Sequence, residues 1–111
     1  MPITLIVKRD NEKTSFNLDN ITSAILKAMN SVNHGNSDDA LRISNNVYES
    51  LNNRFDSIPN YIPNVEEVQD IVEQKLMQSE FLDVAKAYIL YRNKQSQKRT
   101  RDMFEKRINL K

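Results

Sequence analysis

Ile6-Val7-Lys8-Arg9-Asp10-Asn11-Glu12-Lys13-Thr14-Ser15-Phe16-Asn17-Leu18-Asp19-Asn20-Ile21 carries the signals from which the rest of the chain can be placed. It continues an apolar run from Ile3 whose β-branched content suits a strand. Two adjacent cations, Lys8 and Arg9, close that run. Asp10-Asn11 is turn material, because asparagine tolerates the left-handed backbone that a tight hairpin requires. Thr14-Ser15-Phe16 then returns as a second short strand. Asn17 has the chemistry of a helix N-cap, and Asp19 puts a carboxylate in the first turn, where the helix dipole favours it. One segment thus supplies a hairpin, two cations and a helix N-terminus, each able to hold an anion. A phosphate-bearing ligand asks for such a set, here built without a glycine-rich loop.

The chain has 111 residues, enough for one domain with a single modest core. It contains 1 glycine and 3 prolines, and its apolar residues recur at helical spacing, so the expected class is mainly α with a small β element. The absence of cysteine excludes a disulfide framework, a thiol nucleophile and a zinc ribbon. The start, Met1-Pro2-Ile3-Thr4, has neither the basic nor the apolar part of a signal peptide. No apolar run is long enough to span a bilayer. The expectation is a soluble, cytoplasmic protein with no membrane partner. Net charge is +1, but unevenly spread. From Arg92 onward Lys94, Lys98, Arg99, Arg101, Lys106, Arg107 and Lys111 are opposed only by Asp102 and Glu105. That segment has a single aromatic, Phe104, rather than aromatics interleaved with its cations, and reads as a solvated helix, so nucleic acid is not the expected partner.

Working outward, Leu18, Ile21, Ile25, Ala28, Met29 and Val32 recur at three- and four-residue steps and predict a first helix from Leu18 to about Val32. Gly35 is expected as its left-handed C-terminal residue. Ser37 is expected to cap a second helix whose apolar face is Ala40-Leu41, Ser44, Val47-Tyr48 and Leu51, ending near Phe55. Pro59 and Pro63 exclude helix between them. Tyr61-Ile62 is expected as a short extended piece beside the hairpin. Asn64 caps a third helix with Val65, Val68, Ile71, Val72, Lys75 and Leu76 along it, and a fourth starts after Ser79 and continues into the basic tail. Catalytic chemistry is sparse. His34 is the only histidine and falls in a turn, and Glu66-Glu67 and Glu73 read as solvated or capping acids. No phosphate loop, zinc motif or nucleophile–base pair is present, so the chain is not expected to carry out a reaction itself.

Val7-Lys8-Arg9-Asp10 and Phe16-Asn17-Leu18-Asp19-Asn20-Ile21, with Ala24-Ile25 and Lys27-Ala28, resemble the opening of the ATP-cone family. Val65 to Glu73 and Val84 to Arg92 resemble its closing half, so the resemblance spans roughly Ile3 to Lys94. It implies a four-helix bundle covered by an N-terminal β-hairpin, with ATP or dATP under that cap. It also implies the overall-activity switch of a ribonucleotide reductase, in which ATP permits turnover and dATP stops it. The implied nucleotide-binding residues are Val7, packed on the nucleotide; Lys8 and Arg9, on phosphate and base; and Asn17, as cap and ribose contact. Val65 and Gln69 follow for adenine and the sugar edge, and Tyr88, Tyr91 and Arg92 lie on the last helix. Magnesium is expected with the triphosphate, since clustered phosphates need more positive charge than two side chains supply. Other reductase subunits and nucleotide-dependent self-association are the implied partners.

Three positions depart from the family pattern. Asn11 replaces a glycine, Asn20 replaces a phosphate-binding lysine, and Asn93 replaces a basic residue. Residues 1–95 are expected to form the cone and 96–111 a basic helical extension or linker. Phe104-Glu105-Lys106-Arg107-Ile108-Asn109-Leu110-Lys111 resembles the first residues of the radical-generating small subunit of certain class I reductases, which implies a domain fused to that subunit. One alternative is the cone of a transcriptional repressor of reductase genes, against which the missing cysteine pairs argue. The other is a nucleic-acid-binding helical module using the basic tail.

Overall fold

The structure, a computed structural model, describes residues 3–109, and beyond Gln95 only the side chain of Lys98. The side chains of the tail motif at 104–111 therefore lie outside the described residues. Two strands, β1 (Leu5–Val7) and β2 (Lys13–Ser15), are followed by helices α1 (Leu18–Ser31), α2 (Ser37–Ser57), α3 (Val65–Met77) and α4 (Leu82–Asn109). This is the expected mainly helical fold with an N-terminal hairpin, and α4 runs without a break past residue 95.

The hairpin pairs Leu5 with Ser15, Ile6 with Thr14 and Val7 with Lys13. Its turn is closed by the Lys8 N–H donating to the Glu12 carbonyl at 2.8 Å and the Asn11 N–H to the Lys8 carbonyl at 3.0 Å. Asn11 sits at φ 68°, so asparagine takes the left-handed position in place of glycine. The other edge of β1 is not left open. The Val7 N–H donates to the Pro63 carbonyl at 2.8 Å, and Val7 bridges Asn64 in parallel. The extended contact falls at Pro63-Asn64 rather than at the expected Tyr61-Ile62. The reason is the use of Tyr61, whose hydroxyl donates to Glu67, itself paired with Arg54 at 2.7 Å. Burial, reinforced by that hydrogen bond, pushes the Tyr61 phenol up to about 12.

Asn17 caps α1 as expected, its Oδ1 accepting from the Asp19 N–H at 3.0 Å. The C-terminal cap differs from expectation. Asn33, not Gly35, takes the left-handed position directly after the helix (φ 53°), and the His34 N–H donates to the Met29 carbonyl at 3.0 Å. Gly35 (φ 98°) is required for another reason: a Cβ there would lie 2.6 Å from the Met29 sulfur. The second helix is capped by Asn36, one residue before the expected Ser37. Asn36 and Asp39 form a reciprocal capping box, which a serine at position 37 is out of register to make. A second box, Asn64 with Glu67, opens α3.

The core lies where the four helices meet, with α1 and α3 each packed on both α2 and α4. Ile25, Met29, Ile43, Val47, Leu51, Val72, Leu76 and Val84 are fully buried there. Ile43, rather than the expected Leu41, is the core leucine-sized residue of that turn of α2; Leu41 is 49% exposed. The step from Ala40 to Ile43, Val47 and Leu51 keeps one face, and Leu41 falls off it. Ser44 is buried but satisfied, donating to the Leu41 carbonyl at 3.0 Å and accepting from the Thr22 hydroxyl at 2.7 Å. The hairpin is moored to α2 at its base, by the Ile3 N–H on Asn52 at 2.9 Å and Phe16 stacked on Tyr48. No helix of the described residues is long and apolar enough to cross a membrane.

Candidate functional site

Strand alternation divides the hairpin residues between two adjoining clefts. Ile6, Lys8 and Thr14 face a cleft of about 350 Å³ under the hairpin. One wall is Asn17, the cap of α1, with Asn20, Ile21 and Ala24 of that helix; α3 contributes Val65, Val68 and Gln69, and α4 contributes Tyr88. Ile21, Ala24, Val68 and Tyr88 make an apolar slot, while Asn17, Asn20 and Gln69 supply donors and acceptors at its edge. Burial pushes the Tyr88 phenol up to about 12. Val7, Arg9 and Asn11 instead line a second cleft of about 370 Å³ with Asn64, Val65 and Glu66 at the start of α3. Lys8 and Val65 border both.

The cations are used differently. Among the described residues Lys8 makes no ion pair, and it borders both clefts beside the N-terminus of α3, where the helix dipole favours an anion. Arg9 donates to Gln69 at 3.1 Å and pairs with Glu66. Arg92, only 16% exposed, is held by Glu66 at 2.6 Å and by Asp70 and Glu73, each at 2.8 Å. Burial works against its charge, but the hydrogen bonds to Glu73 and Asp70 outweigh this and raise its pKa above the ordinary value. Exposed ion pairs such as Arg9–Glu66 contribute only about 0.2–1 kcal/mol, so that pair is an easy one to exchange.

The structure therefore brings Lys8, Asn17, Val65, Gln69 and Tyr88 together under the hairpin. Val7 and Arg9 stand on the neighbouring cleft. Tyr91, 49% exposed, lines a separate and larger groove of about 660 Å³ between α1 and α4, with Lys27 and Lys94 on it. That groove touches the hairpin cleft only through Ala24 and Tyr88. Arg92 faces the α3 carboxylates. Sequence reasoning missed Thr14, Phe16, Ile21, Ala24 and Val68 as cleft residues, and Glu66 as the partner of two arginines. The two-residue period of the hairpin was the signal available for Thr14, and the helical face for Ile21 and Ala24. Among the described residues no group of three His, Cys, Asp or Glu side chains could hold a metal ion.

A hairpin-capped helical bundle with an apolar, lysine-bordered cleft defines a small ligand-binding domain. Residues 4–97 match the ATP cone domain family, and the chain belongs to that family. ATP cones are regulatory nucleotide-binding domains. The vitamin B12-dependent ribonucleoside-diphosphate reductase of Thermoplasma acidophilum is 44% identical over 94 residues, covering 80% of this chain and 12% of that protein. The anaerobic ribonucleoside-triphosphate reductase of Haemophilus influenzae is 33% identical over 88 residues, covering 79% and 12%. The ribonucleoside-diphosphate reductase subunit alpha of Chlamydia pneumoniae is 36% identical over 108 residues, covering 87% and 10%. The chain thus spans about a tenth of the length of these curated relatives.

Proposed function

We propose that this chain is the overall-activity regulatory domain of a ribonucleotide reductase, binding ATP as activator and dATP as inhibitor in the cleft under the hairpin. The observation that carries the reading is the meeting of an apolar slot with Lys8 in one cleft, in a chain that matches the ATP cone over residues 4–97. Adenine enters the slot against Ile21, Val68 and Tyr88; Asn17 and Gln69 read the sugar edge, where ATP and dATP differ by one hydroxyl. The phosphates run towards Lys8, Arg9 and the start of α3. Magnesium, where present, rides on the phosphate oxygens. The role is regulatory: the domain binds and reports, and the reaction belongs to other parts of the reductase.

The output follows from linkage. Two ligands of one site shift an assembly equilibrium only through their different affinities for its states. dATP favours self-association through the cone, which withholds productive contact between reductase subunits, and ATP favours it less. Size-exclusion chromatography with light scattering, at fixed magnesium without nucleotide, with ATP and with dATP, tests this. A larger mean mass with dATP than with ATP is expected. Identical mass distributions in all three conditions would overturn switching by assembly.

A further inference from the structure

Glu66 is the charged residue of the mouth of the site that the binding reading leaves without a task. It stands in the first turn of α3, and its two carboxylate oxygens hold different arginines. Oε1 pairs with Arg9 of the hairpin, and Oε2 accepts from Arg92 of α4 at 2.6 Å. A capping or solvated glutamate needs neither partner. One side chain therefore clasps the hairpin, α3 and α4 together where the second cleft opens. The arms of the clasp are unequal. Arg92 keeps Asp70 and Glu73 when Glu66 departs, and Arg9 also donates to the neutral Gln69.

We propose that Glu66 is an internal competitor for the ligand's phosphate: it occupies Arg9 in the empty site and is displaced when a phosphate takes that guanidinium. This rests on the nucleotide-binding reading above. The physical basis is that carboxylate and phosphate ask for the same planar donor fork, and two anions at one guanidinium repel each other. The phosphate brings more charge, and the Arg9–Glu66 pair, with side chains 33% and 51% exposed, is the easier one to break. Displacement has a mechanical consequence. It cuts the link from hairpin to α4 through Glu66, so occupancy of the site and closure of the clasp exclude each other. By reciprocity, whatever tightens the clasp weakens phosphate binding.

The test compares the wild-type chain with Glu66→Gln and, as a charge-matched control, Asp70→Asn, which touches Arg92 but leaves the Arg9–Glu66 bond in place. Tripolyphosphate and ATP are titrated separately, and amide exchange at Val7 and Lys8 is followed without ligand. Glu66→Gln is expected to bind tripolyphosphate about 1.4- to fivefold tighter than wild type, the range set by breaking one exposed pair. Its Val7 and Lys8 amides are expected to exchange faster, and Asp70→Asn to change neither. Equal or weaker tripolyphosphate binding by Glu66→Gln, at unchanged helicity, overturns the competitor. If that variant loses helicity, the carboxyl-carbon NMR signal of Glu66 in the wild type decides: a shift on saturation supports displacement and a fixed signal overturns it. ATP binding with no Glu66→Gln effect sinks the clasp alone. Tripolyphosphate binding with the expected Glu66→Gln effect, but none of ATP, sinks the nucleotide reading and leaves the clasp. If wild type and variant both bind neither probe, both proposals fall.

Discussion

At the scale of single residues, the doublet Lys8-Arg9 was the most legible part of the site and also the most incomplete. Two cations at a hairpin end announce an anion, and position alone says that much. What position did not disclose is that the two differ in circumstance. The hairpin places Lys8 at the border of both clefts without an ion-pair partner among the described residues, while Arg9 meets Glu66, remote in sequence and unreadable as its neighbour. The same holds for Arg92, whose three carboxylate partners lie at one helical spacing along α3 and become visible only once α4 packs there. The difference has a measurable consequence. On the proposed nucleotide reading, Lys8→Ala would remove a charge-assisted phosphate contact worth about 1.5–3 kcal/mol, so nucleotide affinity is expected to fall about tenfold or more. Arg9→Ala is expected to cost less, because it also removes the need to displace Glu66. Wild-type affinity in Lys8→Ala, with helicity intact, would move the phosphates away from the hairpin.

At the scale of elements, the helices were readable because three- and four-residue spacing of apolar residues survives in an asparagine-rich sequence, and their ends were less so. Asn36 took the cap expected of Ser37 because only from position 36 do its side chain and that of Asp39 satisfy each other's N–H groups. Asn33 took the left-handed place expected of Gly35, while the close approach of Met29 is what requires the glycine. The contact of β1 with Pro63-Asn64 was misplaced by two residues, since nothing local reveals that Tyr61 is spent on Glu67. Asn64 joins these threads: it caps α3 and bridges the hairpin, so it fixes the helix end and the cleft wall together. Asn64→Ala is expected to cost about 1 kcal/mol through the lost cap, lowering the thermal midpoint by about 4–8 °C. Thermal unfolding followed by circular dichroism checks this, and an unchanged midpoint would mean that the cap is dispensable.

At the scale of the whole molecule, a bundle built from four helices leaves one end to be closed by a hairpin, and the cleft is the space between that lid and the helix faces. The mainly helical class and the run of elements follow from composition and periodicity, and the capped bundle from the family resemblance, whereas the cleft depends on Ile6 of β1 and Tyr88 of α4 lining one space, a long-range relation that no spacing rule gives. Size also limits what this unit does unaided. A small core closed on itself has little room for internal rearrangement, so a bound nucleotide must act through the hairpin and the outer helix faces. All of this depends on one event, the binding of an adenine nucleotide under the hairpin. Calorimetric titration of ATP and of dATP into the folded chain at fixed magnesium measures it directly. Saturable heat with both nucleotides, sharply reduced in Lys8→Ala, is the predicted result; no heat from either nucleotide, in protein shown to be helical, would contradict it.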